Sequence, residues 1–324
     1  MTEPLVKPLL EARHLTKEFP LGRGRSVHAV TDVSLSIAQG ETLAIVGESG
    51  CGKSTLGRML IRLDTPTSGE VFLRGECISA MSERAFRPHR RELQFVFQDP
   101  YASLNPRMTV RDLIAEPLVT YKVAPSKDET TELVRDLMRA VGVPQDFLWR
   151  YPHQFSGGQR QRIGIARAIA LDPALIVCDE PVSALDVSVQ NKILNLLCSL
   201  QEERGLTYVF ISHDLSVVRH IADRVCVMFL GRVCELGTTE AIFDAPSHPY
   251  TKFLLGSVPS IDPHRRGERT QVLEGEPPSP VSPPSGCCFR TRCPYATELC
   301  ARQVPELRDV DGRQVACHRY TSAD

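Results

Sequence analysis

Nowhere in the 324 residues is there an apolar run near the roughly 18–20 residues that a membrane-spanning helix needs. The longest runs, such as Ala174–Cys178 and Val225–Leu230, are a fraction of that length. A bilayer is therefore expected to be reached only through a partner. Met1–Leu10 lacks the basic-then-apolar pattern of a secretory signal, which points to a cytosolic address. Charge of one sign is missing too: 38 Lys and Arg face 39 Asp and Glu, for a net charge of −1. No global field recruits nucleic acid or acidic lipid, and no nucleic-acid partner is expected. Internal repeats and sustained heptads are also lacking, which argues against a solenoid or a coiled coil. What remains, at 42% hydrophobic and 24% charged, is an ordinary globular chain long enough for two domains.

Up to about residue 245, short apolar runs alternate with helical patterns, the signature of an α/β fold. Thr42–Val46, Ala174–Cys178 and Thr207–Ile211 read as buried strands, and Thr55–Leu63 as the helix after the first. Ser188–Glu203 carries Val189, Ile193, Leu196, Leu197 and Leu200 on one helix face. Arg111–Tyr121 and Asp128–Val141 read as helices of an inserted region at about 100–165. Val30–Ile37 and Gly69–Leu73 alternate as antiparallel strands do. The expected division is a domain over 1–245 and an extension over 246–324. That extension holds a proline-rich, extended connector at 275–286 and a cysteine module at 287–317.

Gly47–Ser54, GESGCGKS, fits the phosphate-binding pattern G-x-x-x-x-G-K-[ST], set between a strand and a helix. Gly47, Glu48, Ser49, Gly50, Cys51 and Gly52 can turn backbone N–H groups inward on phosphates. Lys53 adds a charge, Ser54 a hydroxyl for Mg²⁺, and Thr55 continues the contact. Leu175–Glu180, LIVCDE, is an apolar strand ending in two acids. Asp179 suits a second Mg²⁺ contact, and Glu180 a base for water, worth roughly 10²–10⁴ in rate. Ser156, Gly157, Gly158 and Gln159 open a second helix with a second set of free N–H groups. A chain that already has one phosphate cradle does not need another for the same nucleotide.

With these motifs in this order, residues 9–245 resemble the ATP-binding cassette superfamily. The resemblance implies a P-loop ATPase core with a mixed sheet in a RecA-like lobe, an antiparallel β lobe and a helical subdomain. A small cysteine-rich C-terminal extension would be added to that core. It makes Ser156–Gln159 the signature that caps the γ-phosphate held by a partner subunit. It makes Gln98, in FVFQDP, a catalytic and Mg²⁺-sensing glutamine, and His213 the switch histidine. Ser183, Ala184, Leu185 and Asp186 become the loop that crosses the dimer interface, and Phe19 the aromatic that stacks on adenine. ATP and Mg²⁺ are the implied substrate and cofactor.

VFQDPYASLNPRMTV, EPVSALDVSVQ, ISHDLSVVRHIAD, HPYTKFLL and the tail GEPPSPVSPPSGCCFRTRCP resemble the oligopeptide/dipeptide importer branch. That resemblance implies a paralogous second ATPase, two transmembrane permeases that dock near Gln98–Val110, and an extracytoplasmic binding protein that selects cargo. The chain would then lie on the cytoplasmic face of a bacterial inner membrane. Nickel or oligosaccharide import is the alternative cargo class. A non-transport cassette ATPase is the alternative outside transport, and it would be expected to carry long coiled coils or two cassettes.

Cysteines divide into two groups: Cys51, Cys77, Cys178, Cys198, Cys226 and Cys234 lie singly, while Cys287, Cys288, Cys293, Cys300 and Cys317 crowd the tail. The tail spacing fits neither the pairs of structural zinc sites nor ferredoxin spacing. The resemblance implies a [4Fe–4S] cluster on Cys287, Cys293, Cys300 and Cys317, with zinc and then a metal-free tail as the alternatives and Cys288 as a rival first ligand. Cys51, inside the phosphate loop, is expected to be a thiolate favoured by the helix dipole and Lys53.

Overall fold

The computed structural model describes residues 7–257 and 276–320. Two compact units make up the chain: Met1–Ile37, Thr42–Ala80 and Ser212–Asp324 form one, and Ala38–Glu41 with Met81–Ile211 form the other. The chain begins in the first unit with β1 (Leu10–Gly22), β2 (Arg25–Ile37), β3 (Thr42–Val46), α1 (Lys53–Leu60), β4 (Ser68–Leu73) and β5 (Glu76–Cys77). It builds the second unit from α2 (Glu83–Phe86), β6 (Leu93–Val96), α3 (Val110–Thr120), α4 (Lys127–Ala140), α5 (Gly157–Ile169), β7 (Leu175–Asp179), α6 (Val187–Arg204) and β8 (Thr207–Ile211). It returns to the first through α7 (Leu215–Ile221), β9 (Arg224–Phe229), β10 (Arg232–Thr238), α8 (Thr239–Asp244) and α9 (Pro249–Gly256). The tail adds α10 (Glu298–Arg302), β11 (Arg308–Val310) and β12 (Arg313–Val315).

In the first unit an antiparallel sheet runs in the order β2-β1-β4-β5, with Leu10 opposite both Ile37 and Leu73. Alternation along these strands turns Leu10, Ala12, Val33, Leu35 and Ile37 inward. A second sheet of this unit places β3 parallel to β9, Ile45 opposite Cys226. Antiparallel β10, β12 and β11 follow outward from β9. All five residues of β3 are buried, as a strand covered on both faces must be, which is why its sequence is one apolar run.

The second unit runs β6, β7 and β8 in parallel, and every residue of β7 and β8 is buried. Thr109 and Ser126 cap α3 and α4 by accepting from the N–H groups of Asp112 and Glu129, so each helix starts one residue before the apolar pattern shows. α6 ends where Gly205 turns left-handed at φ 63°. The helix after the phosphate loop is shorter than its pattern suggests. Arg62 takes φ 56° and the Leu63 N–H folds back on the Arg58 carbonyl at 2.8 Å, which ends the helix before Leu63.

The described residues of the tail belong to the first unit's own architecture. β12 pairs with β10, Glu235 opposite Val315, and extends the sheet. Phe289, 1% exposed, packs against Phe229, Tyr250 and Phe253 in the core. Residues 276–286 form no helix or strand, and Gly275, the first residue of the expected connector, lies outside the described residues. Among the described residues no helix is long and apolar enough to cross a membrane.

Candidate active site

In the first unit the phosphate loop joins β3 to α1 through backbone angles that only glycine adopts easily. Gly47 and Gly52 have φ of 152° and 102°. A Cβ at Gly47 would lie 2.2 Å from the Met228 carbonyl oxygen, and one at Gly52 would lie 2.0 Å from that of Ala29. The Lys53 ammonium is buried and donates to the Gly47 and Glu48 carbonyls, 3.0 Å each, so a cation is held inside the loop's curve. Ser54 and Thr55 are half-buried in the first turn of α1, the end of a helix that favours negative charge.

Glu48, the loop's second residue, is tied from two sides. Its N–H donates to the Tyr250 hydroxyl at 2.9 Å, and its carboxylate accepts from Arg292 Nη1 at 3.0 Å on both oxygens. Neither partner was legible as a site residue. Tyr250 lies in HPYTKFLL, which carried only branch resemblance, and Arg292 is 244 positions away from Glu48. No local spacing could have signalled either one.

Cys51 corrects the thiolate expectation. It is 6% exposed, and burial pushes its thiol up, against the smaller opposing pull of Lys53. Loss of hydration outweighs the neighbouring charge, so at neutral pH the side chain is a protonated thiol. In the same unit, Phe19 on β1 opposes Val27 and is 40% exposed, with the Lys17 ammonium 5.0 Å from its ring centre. His213 is exposed beside Asp214, the residue that caps α7 by accepting from Ser216 and Val217.

In the second unit β7 delivers the acids. Asp179 ends the strand and is 8% exposed; Glu180 follows with φ 44°, a left-handed angle uncommon for a residue with a side chain. Its N–H donates to the Ile211 carbonyl at 3.0 Å, and its own carbonyl accepts from the Ser183 hydroxyl at 3.1 Å. Its carboxylate accepts from Gln98 Nε2 at 2.9 Å, so two sequence-predicted residues 82 positions apart do meet. A carboxylate fixed this way, with an amide against it, can accept a proton from water.

Ser156 and Gln159 form a capping box: the Ser156 hydroxyl accepts from the Gln159 N–H, and the Gln159 side chain accepts from the Ser156 N–H at 3.0 Å. A Cβ at Gly158 would lie 2.4 Å from a Val189 methyl of α6, so any larger residue there forces that side chain to shift. At Gly157 it would lie 3.1 Å from Leu185, which places the signature turn against the loop Ser183–Asp186. Gln190 braces that loop by donating to the Val182 and Leu185 carbonyls at 3.1 and 2.9 Å. Ala184 and Asp186 face solvent.

Cys287, Cys293, Cys300 and Cys317 line one cavity of about 110 Å³ in the tail, with Phe289, Tyr295 and Leu299. Burial, reinforced by the neighbouring thiols, pushes Cys287 up to about 12 and raises Cys293 and Cys317 as well. Cys288 faces away from that cavity. It sits in the core, hydrogen-bonds Cys234 and directs its thiol to the Phe229 carbonyl at 3.7 Å. Among the described residues no three metal-ligating side chains are gathered as a ready site for a single ion.

Comparison with known proteins shows the family of the chain. A family model described as ABC transporter matches residues 30–183, and one described as oligopeptide/dipeptide transporter, C-terminal region, matches residues 234–300. The chain is 52% identical to the oligopeptide transport ATP-binding protein AppF of Bacillus subtilis, across 99% of this chain and 100% of that one. It is 49% identical to the di/tripeptide transport ATP-binding protein DppF of Pseudomonas aeruginosa, across 97% and 98%. Among solved structures it resembles the dimeric, post-hydrolysis cassette MJ0796 bound to ADP and Pi, at TM-score 0.66 and 33% identity over 71% of this chain and 98% of that one. It also resembles cbiO1 of Clostridium perfringens, at TM-score 0.65 and 28% identity over 74% and 92%.

Proposed function

Since the chain belongs to the ABC transporter ATP-binding subunits, in the oligopeptide/dipeptide branch, we propose that it hydrolyses ATP to drive uptake of dipeptides and oligopeptides into a bacterial cell. The observation that carries the cargo class is the match of residues 234–300 to the C-terminal region of peptide transporters, a segment that cassettes need not share.

The role we assign to each residue rests on the family resemblance, and its setting in the fold supports it. Loop N–H groups, Lys53 and the α1 N-terminus would hold the triphosphate, with Phe19 against the base. Ser54, Asp179 and Gln98 offer the oxygen donors Mg²⁺ prefers, and the ion would offset phosphate charge. Glu180 takes the proton of the attacking water, which Gln98 and His213 orient. Ser156–Gln159 would cap the γ-phosphate of a second, paralogous ATPase subunit, and the exposed loop Ser183–Asp186 would cross that interface.

By the same reading the assembly includes two transmembrane permeases and an extracytoplasmic binding protein, with this subunit on the cytoplasmic face of the inner membrane. In the tail, Cys287, Cys293, Cys300 and Cys317 would hold a [4Fe–4S] cluster, which supplies a rigid covalent hub. The donor set fits, because four thiols share one cavity. Zinc is the alternative occupant of the same four thiols. Iron, sulfide and visible absorption of anaerobically prepared protein distinguish the two.

The test of function is affinity purification from membranes, followed by uptake of a labelled dipeptide. Two permeases should co-purify, and uptake should stop in Lys53→Ala. Co-purifying permeases that move nickel chelate or oligosaccharide but no peptide would reassign the cargo.

A further inference from the structure

The tail and the phosphate loop lie at opposite ends of the sequence, yet one part-buried ion pair joins them. Arg292 Nη1 lies 3.0 Å from each oxygen of Glu48, and the two side chains keep 8% and 26% of their exposure. The residue that carries the guanidinium is fixed through its main chain as well. The Arg292 backbone N–H donates to the Phe289 carbonyl at 3.0 Å, and Phe289 is locked in the aromatic core. The next residue, Cys293, lines the four-cysteine cavity. Meanwhile the Arg292 Nε is buried without a hydrogen-bond partner.

An arginine taken out of water with one N–H unanswered is poor value as a stabiliser, since desolvation offsets much of the attraction. It makes sense as a positioning device. Glu48 also lends its carbonyl to the Lys53 ammonium, so the residue that Arg292 grips touches the cation that meets phosphate.

We propose that Arg292 is a positioning residue of the ATP site, and that the cysteine module holds it so that it fixes the phosphate loop through Glu48. The tail is thus part of the nucleotide pocket's framework, beyond any role in assembly. This rests on reading Gly47–Ser54 as the ATP phosphate cradle.

The experiment compares steady-state ATPase kinetics and Mg·ATP affinity of full-length wild type, Arg292→Gln, Arg292→Lys, Glu48→Gln and the Arg292→Gln/Glu48→Gln double variant. Arg292→Gln should raise KM for ATP about tenfold, or about 1.4 kcal/mol, while kcat at saturating ATP stays within about twofold. Arg292→Lys should restore part of the loss. Glu48→Gln should match Arg292→Gln, and the double variant should be no worse than either single one. A purely structural role would lower the folded fraction, and with it the apparent kcat, while leaving KM alone.

An unchanged KM in folded Arg292→Gln overturns the proposal, as do fully additive losses in the double variant. If Arg292→Gln fails to fold, Glu48→Gln decides, because it leaves the tail's sequence intact; an unchanged KM there is equally fatal. Lys53→Ala separates the premise from the inference. If it binds ATP as wild type does, the cradle reading fails; if it loses ATP while Arg292→Gln keeps it, only the positioning role fails.

Discussion

Glu180 holds φ 44° at the end of β7, where relaxation would swing its carboxylate away from Gln98. Backbone strain of this kind costs about 1–3 kcal/mol and persists only where the surroundings enforce it. Here the Ile211 carbonyl and the Ser183 hydroxyl hold the main chain on both sides. Glu180→Gln keeps an oxygen for the Gln98 amide and removes only the basic site. Turnover should therefore fall by roughly 10²–10⁴ with Mg·ATP affinity unchanged, read by phosphate release and equilibrium binding. Turnover within threefold of wild type would move the base elsewhere. At this scale the sequence showed residue types and their order. It could not show that Gln98 meets Glu180, nor that burial keeps Cys51 protonated, because both depend on what the fold brings alongside.

Elements were legible where one periodicity dominates. Thr207–Ile211 is the β8 strand to the residue, and α6 extends its read helix by one residue at each end, since a fully buried strand and a capped 18-residue helix leave unmixed patterns. The short β11 and β12 were not legible: three residues each, with charged Arg308, Asp309 and Arg313, they form by pairing with a partner strand and carry no run of their own. The signature helix α5 permits a test that separates folding from chemistry. Aspartate caps a helix about as well as serine, whereas alanine costs about 1 kcal/mol. Ser156→Asp should therefore melt near the wild-type temperature while placing a carboxylate where a triphosphate would be capped. Its ATPase activity should be lost, and Ser156→Ala should lose stability with activity only partly reduced. Full activity in Ser156→Asp would remove Ser156–Gln159 from any phosphate contact.

At the scale of the whole chain, the described tail residues complete the first unit. His248 shows one consequence. It is 2% exposed, its ring accepts from the Tyr250 N–H, and burial pulls its pKa down to about 4. The folded value lies below the unfolded value of about 6.5, so the neutral ring's contribution is fully present above that pH. It is lost as pH falls toward 4, up to roughly 3 kcal/mol in all. His248→Asn offers an acceptor without a titrating ring, so urea midpoints of the wild type, and not of the variant, should drop steeply between pH 6.5 and 4; parallel drops would assign the acid lability to other groups. Phe289 shows the second consequence. Its ring sits edge-on to Phe229 at 5.3 Å and close to Tyr250, the residue whose hydroxyl accepts from the phosphate loop. Removing so large a buried ring costs about 3–5 kcal/mol. Phe289→Ala should therefore lower the denaturation midpoint of the unit that carries the P-loop, even though the residue lies far beyond the cassette motifs in sequence. If the loss is under about 1 kcal/mol, the tail is an appendage resting on a core that is complete without it; a full loss means that folding of the P-loop unit waits on a segment the motifs never mention.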